Sequence, residues 1–555
     1  MTEIVIPFSP KGGKQKKNDP AAGDTQGGMG GFDGGPPEGQ PPEGGKFDWA
    51  CAFHPRNDLG NARRLQARFG EDLRYGANIG WLGWDKRRWS QELGETMSIR
   101  AAHNVAEAIR DEAKALRNGI PPRWFTPPAW AEFVEKHQKF AVTAGNQRQA
   151  VNMLAASEPY LQVHARDLDA NQRLFNCRNG TLRLGDVIKD EFGEQIVDVE
   201  FRKHDRADLI TRMAEVDYDP EAECPVFQAF LQDILPDAGT QVFVQKALGY
   251  ALSGDVTEQV MFIFYGTGAN GKSTLTDIIA HVMGDYSVAT SIQTFMFDPR
   301  RSGGQATPDL ARLPGRRLVL ANEPEQGMRF SESIVKLITG GDVMTARNLN
   351  EGFFEFKPVF KLFLSANLKP VIRGQDEGIW RRMRLVPFEQ FIPPSRRDRR
   401  LPQKLLAEAS GILNWLIDGY RLWREQGLVP PETVAKATEE YRAESDPVGE
   451  FMGVATRRVP ASECPGGIAG TGPQVNASKL YALYCKWAGA NGMRPFSGTA
   501  FGRRLSDLGY HKDKWGGFVV YLDLAITQEE FGGLEGSAPS GGDPRPEPPS
   551  PEVVL

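Results

Sequence analysis

The 555-residue sequence predicts a chain of the α/β class, and three observations carry that expectation. The string FYGTGANGKSTL, Phe264 to Leu275, puts Gly266, Gly271, Lys272 and Ser273 at the fixed places of GxxxxGK[ST]. It stands between a β-rich apolar run, VMFIFY, and a helically spaced run, KSTLTDIIAHVMG, that closes on Gly284. Two later apolar runs, RRLVLANEPE and FKLFLSANLKP, read as further strands ending in polar residues.

Taken in chain order, residues 1–50 are rich in Gly and Pro with little to bury, and are expected to be a disordered tail. The acidic end, 526–555, reads the same way. The body between them is too long for one core, and domains of about 100–200 residues would give roughly three or four. In WLGWDKRRW, Trp81, Trp84 and Trp89 surround Lys86, Arg87 and Arg88, a pattern that fits a hairpin with its tryptophans packed inward. Five cysteines lie far apart without CxxC spacing and read as reduced thiols, not metal ligands. No apolar run reaches membrane-spanning length and no signal-peptide core is evident, so a soluble, cytoplasmic protein without a membrane partner is expected.

A strand, a glycine loop and a helix N-terminus together aim backbone N–H groups at phosphates. Gly266, Thr267, Gly268, Ala269, Asn270, Gly271, Lys272, Ser273 and Thr274 would line that cradle for ATP. Lys272 would meet the β- and γ-phosphates, and the Ser273 hydroxyl would sit on Mg²⁺. Glu323, after Leu318–Leu320, can complete the metal shell and polarise a water; alone, it would read as a solvated strand end. Asn367 can bridge γ-phosphate and water, or simply form the turn before Lys-Pro. Arg381 and Arg382 are either a solvated face or the source of a guanidinium offered to a neighbouring subunit's nucleotide.

Between these strands, KLITGGDVMTARNLNEGFFEFKP has a Gly-Gly-Asp turn, then Arg347, Asn348, Phe353, Phe354, Phe356 and Lys357. The phenylalanines fit a hairpin packed on the core, while Lys336, Arg347 and Lys357 are candidates for DNA or subunit contacts. Farther on, SGILNWLIDGYRLW and KATEEYRAESDPVGEFM read as two helices. A loop follows, and then ASKLYALYCKWAGANGM, SGTAFGRRLSDLG and YHKDKWGGFVVYLDL read as two helices and a strand-turn-strand. Although the chain totals −5, Lys479 to Lys514 holds seven Lys/Arg against two Asp, a local +5. That suggests a winged helix whose second helix brings Arg503 and Arg504 to DNA, or alternatively a protein-docking one.

From about Phe53 to Leu524 the chain resembles the phage and plasmid primase-helicase group with a superfamily three motor, related to the poxvirus primase-helicase. The strings that carry the resemblance include NDLGNARRLQARFG, LRYGANIGWLGWDKRRW, FNCRNGTLRL, ALGYALSGD, FYGTGANGKST, VKLITGGDVMTARNLN and DEGIWRRMRLVPF. It implies a hexameric AAA+ ring ATPase that translocates on DNA, with ATP and Mg²⁺. Lys272 and Ser273 become the Walker A pair, Glu323 the Walker B acid and Asn367 the sensor. Arg382 or Arg381 becomes the finger, and 336–357 supplies the channel hairpin. Asn322 stands where relatives often carry a second acid, so Glu325 competes for part of the work of Glu323. The implied domains are a collar at 51–235, the ATPase core at 236–395, a helical lid and linker at 396–455, a linker loop at 456–474 and the winged helix at 475–525. Asp167 and Asp169 lack the supporting string of a primase, so primer synthesis is expected of a separate primase or polymerase, if of any partner. The competing reading is an ATP-switched DNA-binding initiator or loader that does not unwind processively.

Overall fold

The computed structural model describes residues 39–189, 192, 195–298, 307–322, 328–347, 352–460, 462–463 and 472–527. Glu323, Glu325, Asn348, Cys464 and most of both expected tails lie outside the described residues. By contact density the chain forms two compact units, one of residues 1–75 and 95–162 and one of residues 76–94 and 163–555.

The first unit is helical. Its helix Asp58–Phe69 starts where the Asn57 side chain accepts the Gly60 N–H at 2.9 Å, satisfying an otherwise orphaned donor. Pro127–Thr143 starts on Thr126 with proline in its first turn, where a missing N–H costs nothing. At the centre, Glu112 accepts from Arg64 Nε at 2.9 Å and Arg68 Nη2 at 3.1 Å, and lies 3.3 Å from His137 Nε2. The expected disordered tail ends too late: Lys46–Ala52 is a helix, and its Trp49 is buried against Ala52, Leu116 and Trp130. One tryptophan at the right helical position is enough to order a segment that composition alone reads as solvent-exposed.

The second unit is built on a five-stranded sheet of β1 (Met261–Tyr265), β2 (Ser287–Ser291), β3 (Leu318–Asn322), β4 (Lys361–Ala366) and β5 (Met383–Pro387). Their order is β5-β1-β4-β3-β2 and every neighbouring pair is parallel. Parallel strands are covered on both faces, which is why these runs are apolar throughout. Phe262, Phe264, Leu320 and Phe363 join one core with the helices Pro225–Ile234, Ala238–Tyr250 and Ala409–Gln426. Met261, Ile263, Val319 and Leu364 join the other, with Ile338, Trp380 and Tyr441. Strands Leu174–Asn176, Thr181–Lys189 and Gln195–Arg202 form an antiparallel sheet whose Phe175, Leu182 and Leu184 share the first of these cores. The residues expected as a collar, 51–235, divide between the units, with 51–75 and 95–162 in the first and 76–94 and 163–235 in the second.

Near the C-terminus, KATEEYRAESDPVGEFM is not one helix. Glu432–Glu444 and Pro447–Ala455 are separate, because Pro447 has no N–H to continue the first. Val448, Phe451 and Met452 of the second pack with Leu480, Tyr484, Phe501 and Leu524, so the small domain begins before residue 475. It also takes in the start of the expected linker loop, since Thr456–Arg458 pairs antiparallel with Leu524–Ile526. Among the described residues no helix is long and apolar enough to cross a membrane.

Candidate nucleotide and nucleic-acid sites

The glycine loop leaves β1 and enters the helix Lys272–Met283, as the sequence spacing requires. Gly268, Ala269 and Gly271 have φ of +100°, +51° and +81°, a left-handed path that turns the chain sharply before the helix. Gly266 cannot carry a side chain, since a Cβ would stand 2.3 Å from both Asn270 Nδ2 and the Phe388 carbonyl oxygen. Asn270 donates to that carbonyl at 3.1 Å, which ties the loop to the end of β5.

Lys272 is buried. Its Nζ donates to Gly266 O at 2.6 Å, Asn270 Oδ1 at 3.1 Å and Asn367 Oδ1 at 3.2 Å. The structure thus brings together the loop lysine and the asparagine from the third predicted strand, 95 residues apart. Parallel register explains it: Ala366 of β4 lies opposite Tyr265 of β1, so both chains leave the sheet at one edge. Ser273 is exposed on the first helical turn and Thr274 is half-buried beside it. β3 ends at Asn322 in register with Ser365, two residues before Asn367.

The two arginines part company. Arg382 is buried and donates to Thr339 Oγ1 at 2.9 Å, to Gly378 O and to Gln259 Oε1 at 3.4 Å. Burial, and next the neighbouring Arg381 charge, hold its pKa below the usual arginine value. Arg381 is exposed, with one bond to Gln259 Oε1 at 3.0 Å. Of the two arginines, Arg381 is the one with an exposed guanidinium, while Arg382 is held inside the fold.

Met344–Arg347 and Phe353–Phe356 form the expected antiparallel hairpin, with Arg347 opposite Phe353. The phenylalanines divide: Phe354 and Phe356 pack on the core, whereas Phe353 is exposed, its ring 5.2 Å from the Arg347 guanidinium carbon. Lys357 is exposed; Lys336 pairs with Asp376 at 3.0 Å. On the C-terminal domain, Arg504 is committed to the buried Asp446 through Nε at 3.0 Å and Nη2 at 2.6 Å, while Arg503 is exposed. A single residue step, about 100° around the helix, turns Arg504 into its own domain and leaves Arg503 facing outward.

Trp84 and Trp89 pack inward with ring centroids 5.7 Å apart, and Arg88 pairs with Asp285. Asp169 Oδ1 accepts the Thr211 N–H at 2.8 Å, so that carboxylate closes a loop. Sequence reasoning missed Lys369, two residues after Asn367. Its Nζ pairs with Glu444 at 2.7 Å and lies 5.0 Å from the Tyr265 ring centroid. A lysine before proline reads as turn chemistry, and nothing local signals a partner 75 residues away.

Fold and loop together give a mixed α/β unit built on a parallel sheet, with a glycine-rich turn between β1 and the helix that follows it. Residues 62–236 match the family described as D5 N terminal like, and residues 264–382 match a family of unknown function, DUF5906. The chain is 30% identical over 307 residues to a "Putative helicase" of Acanthamoeba polyphaga mimivirus, covering 52% of this chain and 31% of that protein. It is 28% identical over 281 residues to a "Putative helicase" of Frog virus 3, covering 47% and 28%. With a "Putative primase" of African swine fever virus the identity is 24% over 345 residues, covering 58% and 34%. The chain is therefore similar over residues 62–236 to the D5 N terminal like family and is a homologue of viral proteins named as helicases and primases, as its motifs implied. It spans about a third of the length of these relatives. Among solved structures, the apo NrS-1 C-terminal region matches with a TM-score of 0.36 at 14% identity, covering 62% of this chain and 96% of that one.

Proposed function

We propose that this chain is an ATP-dependent DNA helicase of the superfamily three, AAA+ kind, working as a homo-oligomeric, hexameric ring in phage, prophage or plasmid replication in a host cytoplasm. The contact between Lys272 and Asn367 carries this reading, because it puts a phosphate-binding cation and a water-orienting amide at one strand edge. The loop fits a triphosphate: Gly266 and Gly271 leave no room for a Cβ, Gly268 and Gly271 take positive φ, and the buried Lys272 ammonium is held against the loop's own Gly266 carbonyl at the start of the helix. Magnesium, held by Ser273 and Glu323, would supply charge neutralisation at the β- and γ-phosphates. Lys272 then binds those phosphates, Asn367 orients the attacking water, and Arg381 from the next subunit stabilises the charge that develops in flight. Arg347 with Phe353, and Lys357, follow the DNA strand, and Arg503 holds phosphates on the duplex side. Lys336 and Arg504 serve the fold through their ion pairs. Strand displacement by the intact chain and by Lys272→Ala tests the reading. Unwinding should require ATP and vanish in the variant; ATP-dependent assembly on DNA with no unwinding by the intact chain would instead mark a loader.

A further inference from the structure

The hairpin Lys512–Trp515 and Phe518–Tyr521 closes through Gly516 and Gly517, with φ of +58° and +84°. Two left-handed turn residues match the twist of paired strands, so the tip is well defined. Trp515 pairs with Phe518, and Lys514 with Val519. Cross-strand partners share a face, which sets two aromatic rings side by side next to the turn. They are 48% and 64% exposed, and neither is buried, in contrast to Val520 and Tyr521 farther from the tip. A tryptophan and a phenylalanine left in water at the end of a hairpin contribute nothing to packing that explains them.

Their surroundings are cationic. Lys512 and Lys514 on the same hairpin are exposed, as are Lys486, Arg494 and Arg503 on the rest of the domain. Between Lys479 and Lys514 the only acids are Asp507 and Asp513. Side chains alternate along a strand, so Lys512 and Lys514 leave the opposite face from Trp515, and rings and ammonium groups meet along one edge strand, which matches one ligand chemistry, phosphates joined to unstacked bases. Duplex DNA offers the phosphates but keeps its base faces stacked, and an apolar protein surface has no use for the lysines.

We propose that this hairpin is a binding site for unpaired DNA bases, with Trp515 and Phe518 stacking on bases and Lys512 and Lys514 holding the adjoining phosphates. The proposal rests on the reading of the chain as a DNA-acting protein, but places a contact outside the ATPase sheet and its channel hairpin. The full chain is titrated against a labelled oligothymidylate and a blunt duplex over a range of salt. Trp515→Ala/Phe518→Ala should weaken single-strand binding about tenfold or more while duplex binding stays within about twofold. Trp515→Phe should bind nearly as the parent. Lys512→Ala/Lys514→Ala should flatten the log–log salt slope on single strands by about 1.4, a change the aromatic variant should not show. Since these side chains lie outside the core, melting temperatures should be unchanged. Undiminished single-strand binding by the aromatic double variant overturns the site, as does equal loss on single strand and duplex, or no single-strand binding by the parent. ATP-driven unwinding by a parent whose aromatic variant binds normally would sink this site alone. Loss of single-strand binding in a chain that never hydrolyses ATP would sink the helicase reading alone.

Discussion

Lys272 Nζ donates to Asn367 Oδ1 at 3.2 Å across the edge of the parallel sheet. One side chain begins the helix after β1 and the other follows β4, so any change in what the lysine binds is felt by the asparagine. Asn367→Ala should leave ATP binding within a few-fold and lower kcat about a hundredfold, the usual scale for losing one positioned hydrogen-bonding group in a reaction centre. Lys272→Ala should lose both. Equilibrium nucleotide binding alongside steady-state hydrolysis separates the two.

Arg381 and Arg382 differ in what their loss should cost. Removing the buried Arg382 breaks its bond to Thr339 and should destabilise the fold by about 1–3 kcal/mol, read by thermal or denaturant unfolding. Arg381→Ala should melt as the parent does, yet hydrolyse ATP about a thousandfold more slowly. If that guanidinium acts across a subunit boundary, mixing Arg381→Ala with Lys272→Ala chains should restore part of the activity. Inactive mixtures, with both chains assembled, would place its action within one subunit.

The loop and three of the five strands were legible because their signals are local and redundant, with the fixed glycines and lysine, the apolar runs and the closing Gly284 falling within single elements; β2, the polar run Ser287–Ser291, and β5 carry no such signal. The resemblance gave Lys272 and Asn367 separate roles, and parallel register brings the two side chains into contact. What could not be read was which member of a pair turns inward. Arg381 and Arg382, like Arg503 and Arg504, are adjacent and chemically identical; their fates depend on Thr339 and Asp446, which lie 43 and 58 residues away. Trp49 was lost for the same reason, since its burial depends on Trp130.

The contrast between Arg503 and Arg504 is measurable. Asp446 is buried, so Arg504→Ala leaves its carboxylate without its cation and should cost about 3–5 kcal/mol in the C-terminal domain. Arg503→Ala should leave stability unchanged, weaken duplex binding uniformly across sequences and reduce the salt slope by about 1. Hydrogen exchange over residues 447–507 reports the first effect, and salt-dependent titration the second.

Acid should loosen the helical unit first. Burial, and next the Arg64 charge, push the His54 pKa from 6.5 down to about 4. Burial also lowers that of His137, against the pull of Glu112. In the window from about 6.5 to 4 the unfolded chain binds more protons than the folded one, so stability present above pH 6.5 drains away as pH falls. Exchange protection of residues 58–69 in the full chain should drop across that window. His54→Gln should flatten the dependence, and an unaltered profile in the variant would assign it to other groups.

Lys369 ties the loop that carries Asn367 to the helix Glu432–Glu444 through its pair with Glu444, and Tyr441 donates to the carbonyl of Pro370 in the same loop. Gln375 adds a bond to Ser445 O at 2.8 Å, and the next residue, Asp446, holds Arg504 of the small basic domain. A continuous run of contacts thus joins the nucleotide edge of the sheet to the domain proposed to meet DNA. Glu444 is largely exposed, so Lys369→Met should cost no more than about 1 kcal/mol of stability. If the tie transmits nucleotide state, the variant should keep its DNA-free hydrolysis rate within about twofold, since Lys369 does not touch Lys272. Stimulation by DNA should fall about fivefold, a loss of about 1 kcal/mol. Linkage constrains the binding equilibria: the factor by which DNA tightens nucleotide binding and the factor by which nucleotide tightens DNA binding should shrink together, while the fall in stimulated rate need not equal either. A variant whose hydrolysis is stimulated like the parent's, and whose DNA affinity still responds fully to nucleotide, would show that the two ends communicate by another route.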